Sequence, residues 1–408
     1  MDIQILKSTV SSKNTVAITG SKSESNRLLL LKALYPDISI ENISNSDDSV
    51  LMQKALASKE TLIDIHHAGT AMRFLTAFYA TQDGREVTLT GSARMKERPI
   101  GILVDALRAL GAEIDYLENE GFPPLKIKGK NLTQSKVNLK ANISSQYISA
   151  LLLIASKLKN GIELVLEGKI TSVPYIKMTL SLLNSIGIVT SFKGNTISVQ
   201  PLTKNLQTQN LVVESDWSSA SYWYSIIALS DDDTAVELTS YKETSLQGDS
   251  VLANIYEQFG VTTTYQSNTI RLKKVERIES TDRIDLELSN APDIAQTIAV
   301  TSFGLGLECY LTGLHTLKIK ETDRLMALKT ELNKLGAEII ITEDTLHLKS
   351  SNTINADSTI ATYNDHRMAM AFAPLGLKTS LFIKDADVVS KSYPEFWSDL
   401  KQIGFKIK

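Results

Sequence analysis

An internal repeat constrains this chain more than any other feature of its sequence. Five times, a stretch with helical spacing of apolar residues ends in an apolar residue and a glycine: Leu110-Gly111, Ile186-Gly187, Phe259-Gly260, Leu335-Gly336 and Ile403-Gly404. A glycine there suits a helix C-terminus, where a positive φ carries no Cβ penalty. Strand-like pairs separated by polar turns follow, at 113–117 with 125–127, 189–192 with 196–199, and 338–341 with 345–348. Upstream, further helices start at small polar residues and turn apolar, from Ser23, Gly69, Ser144, Ser218, Pro292 and Asp365. One short strand lies between the two helices of a unit, at 86–90, 163–167, 235–239, 308–312 and 380–384. The unit reads β-α-β-α-β-β. About six copies fit, the first without a clear glycine after its second helix.

Strands alternating with helices predict an α/β (α+β) fold, with mixed sheets packed on buried helices. Three opening helices precede residue 213 and three follow it, which divides the chain into a first lobe, 21–213, and a second lobe, 1–20 with 214–408. Small units that cannot bury an apolar face alone are stable around a shared core. The starting segments 4–6 and 16–18 are left over and can pair with either lobe. A hinge is expected near residues 11–20 and 214–216.

Composition removes several functional classes. Against 46 acidic residues stand 43 Lys plus Arg, for a net charge of -3, so no polycation awaits a nucleic acid, whose non-specific affinity scales with the cations engaged. The apolar runs at 28–31 and 150–155 fall far short of the roughly 20 residues that span a bilayer. Residues 1–10 lack the basic start and apolar core of a secretion signal, and a single cysteine cannot form an intramolecular disulfide. A reducing, cytoplasmic compartment is expected.

The cations sit in unusual places. Lys22 and Arg27 flank the start of the first opening helix, Arg73 lies early in the second, and His366 with Arg367 opens the last. A helix N-terminus already carries partial positive charge, so cations clustered there suggest bound anions, phosphate or carboxylate. Two further clusters, Arg94/Lys96/Arg98 and Lys318/Lys320/Arg324, offer Arg forks suited to the same anions. Each cluster alone is equally compatible with solvated surface paired to Glu97, Glu321 and Asp323; recurrence at equivalent points of the repeat favours binding. Ser144-Ser145-Gln146 reads as a helix cap or a site, and Asp293 and Glu321 are candidates for proton transfer.

Metal and nucleophile readings are weak. His66 and His67 are adjacent rather than spaced along a helix face, and no metal site is expected. Cys309 lies in an apolar strand and reads as a packed thiol. Neither a Walker loop nor a dinucleotide-binding glycine turn nor a nucleophile elbow occurs, which points to anion chemistry without a cofactor.

Six segments, 20–27 (GSKSESNR), 68–73 (AGTAMR), 94–100 (RMKERPI), 144–146 (SSQ), 320–324 (KETDR) and 363–370 (YNDHRMAM), resemble in order and spacing those of the 5-enolpyruvylshikimate-3-phosphate synthase family. The resemblance covers essentially the whole chain. It implies two lobes of threefold repeats, an inside-out barrel, closing over shikimate 3-phosphate and phosphoenolpyruvate. Shikimate 3-phosphate would be held by Lys22, Ser23, Arg27, Ser144, Ser145, Gln146, Ser172, Tyr175, Asp293, Thr316 and Lys320. Phosphoenolpyruvate would be held by Lys22, Gly69, Arg94, Gln146, Arg324, Arg367 and Lys391. Catalysis would fall to Asp293 and Glu321 as the acid–base pair, with Lys22 a third candidate. His67 and Thr316 stand where the family often has Asn.

The resemblance implies transfer of an enolpyruvyl group to the shikimate 5-hydroxyl, through a tetrahedral adduct that expels phosphate, by a monomer with no cofactor, nucleic acid or membrane partner. Two alternatives share the fold. A UDP-N-acetylglucosamine enolpyruvyl transferase would use a loop cysteine, which the 94–99 segment lacks. A silent anion-binding relative would be expected to lose Asp293 or Glu321, and both are present.

Overall fold

The computed structural model describes residues 1–11, 14–140, 144–168, 170–202, 209–231, 233–277 and 283–408. The chain forms two compact units, Gly20–Val213 (the first lobe) and Met1–Thr19 with Glu214–Lys408 (the second lobe). Part of the expected hinge, residues 12–13, lies outside the described residues.

One pattern recurs in both lobes. In the first, Leu62–Asp64 pairs parallel with Glu86–Thr90, which pairs antiparallel with Leu125–Lys128, which closes a hairpin with Glu113–Tyr116. The unit spanning Lys136–Lys140 to Thr196–Val199 repeats that order, as does the second-lobe unit from Arg283–Glu287 to Leu346–Leu348. Each sheet has a buried face and an exposed one, as the burial alternation along Glu86–Thr90 and Lys136–Lys140 shows. All five repeat glycines adopt the positive φ their position requires: 105°, 85°, 73°, 100° and 117° for Gly111, Gly187, Gly260, Gly336 and Gly404.

The leftover segments complete units of the second lobe. Asn14–Val16 pairs parallel with Ala235–Thr239 and supplies the strand that precedes the helix Trp217–Leu229. Ile3–Leu6 inserts between Leu381–Ile383 and Lys406–Ile407, filling a place for which one strand follows Gly404. In the first lobe, the first unit is reduced. Its described strands are Ile38–Glu41 and Gln209–Val212, paired in parallel, and its second helix, Asp47–Ala57, ends at Ser58 without a glycine or a hairpin. The sheets remain separate: among the described residues no pairing joins them into a closed barrel.

Opening helices fill the centre of each lobe. Lys22–Leu34, Gly69–Ala80 and Ser145–Ala155 pack pairwise in the first, and Trp217–Leu229, Ala295–Gly304 and His366–Phe372 in the second. They are buried nearly all round, as a helix enclosed by sheets must be. Side-chain caps fix four of these six starts; in the second lobe Asp216 accepts from Ser219 N at 2.8 Å, and Asp365 from Arg367 N at 2.9 Å. None of the described helices is long and apolar enough to cross a membrane.

Cys309 is fully buried in the strand Glu308–Thr312, and burial pushes its thiol up to about 12. An alkylating reagent at pH 7.5 is therefore expected to leave the native protein unmodified over hours and to label it once in denaturant, as mass spectrometry would register.

Candidate active site

The richest constellation of charge lies in the second lobe, around Arg324. This residue opens the helix Arg324–Lys334, capped by Asp323, and its side chain is 2% exposed. Its Nε donates to Asp365 Oδ2 at 2.7 Å, Nη1 to Asp293 Oδ1 at 2.9 Å and Nη2 to Glu321 Oε2 at 2.8 Å. One guanidinium thus binds three carboxylates from three segments. Asp293 is further approached by Arg367 Nη2 at 3.2 Å and Lys320 Nζ at 3.4 Å.

These contacts set the protonation states. Burial raises the Asp293 carboxyl, but Arg367, Lys320 and Arg324 together outweigh it and hold Asp293 well below the usual range, with Glu321 opposing. Burial works to lower Arg324 and Arg367, yet Asp365, Glu321 and Asp293 around the first, and Asp293 beside the second, raise both above the ordinary guanidinium value.

Asp249 was not anticipated. It lies in the turn Gly248–Val251, is 2% exposed, accepts from Ser218 Oγ through Oδ2, and has an Oδ1 with no hydrogen-bond partner among the described residues. Ser218 in turn accepts from Arg367 Nη2 at 3.3 Å. Burial first, then the negative charge of Asp293, push Asp249 up from 3.8 to about 7, against the pull of Arg367. The site therefore keeps one carboxyl ionised beside a second that holds its proton at mildly acidic pH and gives it up around neutrality.

Other expected residues of this lobe fall nearby in the chain or in contact. Lys391 donates to Asn364 O at 2.6 Å, just before Asp365. Thr316 sits in the helical turn His315–Ile319 that leads to Lys320, with its Oγ1 enclosed and without a partner among the described residues.

In the first lobe, Arg27 is the counterpart with a different environment. Its guanidinium donates to Thr179 Oγ1 at 2.8 Å, Ser149 Oγ at 3.0 Å, Ser23 O at 2.7 Å and Tyr175 O at 3.4 Å, all uncharged. The rings of Phe74 and Tyr175 lie 5.4 and 5.8 Å from it. Burial lowers Arg27 to about 10. Lys22 pairs with Asp48 at 3.3 Å, another acid the sequence reading passed over. Gln146 donates to Thr70 Oγ1 at 3.3 Å, which brings the starts of two opening helices together, while Ser144 caps Gln146 N and Ser145 is buried beside it. Ser172 precedes the helix Val173–Ser185 at φ 53° and makes no side-chain cap bond. Gly69 lies so close to Arg98 that a Cβ there would strike the guanidinium.

Two further cations of the first lobe have partners close by in the chain or in the fold. Arg73 donates to Gly69 O at 3.2 Å and Pro99 O at 3.0 Å, so it fixes the 94–99 segment. Arg94 pairs with Glu97 at 2.9 Å on an exposed face, the surface pairing weighed from sequence. No group of three or more His, Cys, Asp or Glu among the described residues is placed to hold a metal.

Lobes built of β-α-β-α-β-β units, with acids and cations at the starts of their central helices, are the architecture of enolpyruvyl transferases. EPSP synthase from Acinetobacter baumannii superimposes with a TM-score of 0.80 over 100% of this chain and 99% of its own, at 21% identity. The enolpyruvyl transferase NikO from Streptomyces tendae gives 0.75 over 100% and 98%, at 13% identity. A family model described as EPSP synthase (3-phosphoshikimate 1-carboxyvinyltransferase) matches residues 52–400. The 3-phosphoshikimate 1-carboxyvinyltransferase of Bacteroides fragilis strain YCH46 is 47% identical over 401 residues, 97% of this chain and 96% of that protein. That of Haemophilus influenzae strain PittEE is 36% identical over 424 residues, 96% of each. The chain belongs to the EPSP synthase family.

The opposed shifts of the two acids carry a pH signature. Asp249 binds its proton more tightly folded than unfolded, so it penalises the fold increasingly as pH rises from near 4 through about 7. Asp293 has the opposite sign: its contribution is present above the unfolded value and is lost as pH falls through the depressed one. Calorimetry should accordingly show Asp249→Asn raising Tm relative to wild type by more at pH 8 than at pH 5. An equal change at both pH values would mean that Asp249 is not held protonated.

Proposed function

We propose that this chain transfers the enolpyruvyl group of phosphoenolpyruvate to the 5-hydroxyl of 3-phosphoshikimate and releases phosphate. Full-length relatives named 3-phosphoshikimate 1-carboxyvinyltransferase support the reaction. The observation that carries the chemistry is that Asp293 and Glu321, one facing an excess of cations, share the single buried Arg324.

Addition needs a proton on C3 of phosphoenolpyruvate and removal of one from the 5-hydroxyl, whose oxygen then bonds C2. Asp293 takes the hydroxyl proton, and Glu321, after taking up a proton from solvent, delivers it to C3, with Lys22 a further candidate for proton transfer. In breakdown of the adduct a proton leaves the same carbon, the C2–O bond to phosphate breaks, and the phosphate leaves protonated. Arg94, Arg324, Arg367 and Lys391, with Gly69, Gln146 and Lys22, hold the carboxylate and phosphate of phosphoenolpyruvate. Lys22, Ser23, Arg27, Ser144, Ser145, Gln146, Ser172, Tyr175, Asp293, Thr316 and Lys320 hold 3-phosphoshikimate. Arg27, with uncharged acceptors only among the described residues, is suited to an anion brought by substrate.

Substrate and base are linked through the same cations. Phosphoenolpyruvate competes with Asp293 for Arg324 and Arg367, and each contact it takes lets the Asp293 carboxyl rise toward its ordinary range. The base strengthens as the substrate arrives. This reading goes with a cytoplasmic monomer acting on two small molecules.

Phosphate release is the test: it requires 3-phosphoshikimate and phosphoenolpyruvate together, and UDP-N-acetylglucosamine does not replace the acceptor. Asp293→Asn is expected to lower kcat by about 10²–10⁴-fold with a smaller change in KM. Near-normal kcat in that variant would remove Asp293 from the mechanism, whereas release with the nucleotide sugar would overturn the acceptor.

A further inference from the structure

Just before the helix that carries Arg367, the chain makes a turn in an unfavourable conformation. Tyr363 and Asn364 are consecutive non-glycine residues at φ 54° and 55°. A left-handed backbone costs a side-chain-bearing residue on the order of 1–3 kcal/mol, and an aromatic residue adopts it rarely. Such a turn persists only where its surroundings over-determine it.

The helix Arg324–Lys334 does so at two points. Arg324 grips Asp365 on one side of the turn. Seven residues on, two turns along the same face, stands Glu331, whose side chain is completely buried. Glu331 Oε1 accepts from Tyr363 Oη at 2.6 Å, and Oε2 accepts from Ala361 N at 3.1 Å and from Lys334 Nζ at 2.6 Å. Burial, then the bond to Glu331, raise the Tyr363 hydroxyl to about 12, so it remains a donor across the working range. The turn so held sets two outputs: Asn364 O, which takes the hydrogen bond of Lys391, and Asp365, which caps Arg367 N.

We infer that Glu331 is a positioning residue for the anion-binding cations: by holding the strained 361–364 turn it places Lys391 and Arg367. Glu331 belongs to no binding role above and sits behind the turn. The inference rests on the proposed reaction, since it takes those two cations to bind phosphoenolpyruvate.

The test combines kinetics with amide hydrogen exchange over 361–367 in the full chain. In folded Glu331→Gln, KM for phosphoenolpyruvate is expected to rise about tenfold or more while that for 3-phosphoshikimate stays within about twofold. The Ala361 amide should exchange faster. Adding Asn364→Gly, which removes the conformational cost at one position, should recover about threefold or more of the lost affinity, a rescue that general loss of packing would not give. Should Glu331→Gln fail to fold, Tyr363→Phe keeps the carboxylate with its Ala361 and Lys334 bonds and should show the same one-sided rise in KM. An unchanged KM for phosphoenolpyruvate in a folded variant, or an equal rise for both substrates, overturns the inference. If the wild type is inert with both substrates, the proposed reaction fails, and exchange alone decides Glu331: faster exchange at Ala361 supports its hold on the turn, unchanged exchange refutes it.

Discussion

A single buried guanidinium organises the second lobe. Arg324 satisfies Asp365, Asp293 and Glu321 at once, each through a hydrogen bond of 2.9 Å or less, and without it three carboxylates would share a desolvated space. Two charges taken from water lose several kcal/mol each, and removing one partner of a buried pair typically costs about 3–5 kcal/mol because the other is left uncompensated. Arg324 therefore makes the constellation possible. Arg367 and Lys320 then tip the balance so that Asp293 stays ionised, while burial and the charge of Asp293 push Asp249, paired with a serine, up to about 7.

The repeat explains why these groups meet. In each lobe three opening helices pack pairwise, and their starting residues converge: Arg367 at one start touches Ser218 and Asp293 at the other two, and Gln146 reaches Thr70 in the first lobe. Helix starts favour negative charge, which suits Asp216, Asp293 and Asp365, and the cations placed there are tolerated because those acids answer them. In the first lobe Arg27 meets hydroxyls and carbonyls instead. Its charge is left for a ligand to complement.

Much of this was legible in the sequence because periodicity and glycine placement are local signals. The opening helices, the central strands and the five helix-ending glycines follow from spacing alone, and the strands at 86–90 and 235–239 match residue for residue. The partners of Ile3–Leu6 and Asn14–Val16 were not legible, since a strand's own pattern does not say which distant edge it completes. The resemblance supplied Asp293, Glu321 and Arg324 as separate residues, but not that one guanidinium joins them. Asp48, Asp249, Asp365 and Glu331 escaped for a common reason: each looks like an ordinary polar residue in its segment and acquires a role only through a partner far along the chain. Of these, only Glu331 stands within the apolar spacing of its helix, between Leu328 and Leu332, a place that could have pointed to such a partner.

Two neighbouring carboxyls are driven in opposite directions, Asp293 down by the cations around it and Asp249 up by burial and by the charge of Asp293. Carboxyl-carbon NMR on the ligand-free protein, titrated from pH 4 to pH 9, reads this directly. One aspartate resonance is expected to have its midpoint near 7 and to be absent in Asp249→Asn, and the Asp293 resonance to stay ionised throughout the range. Both aspartates titrating together in the ordinary carboxylate range, or Asp293 taking up its proton above pH 5, would contradict this opposition.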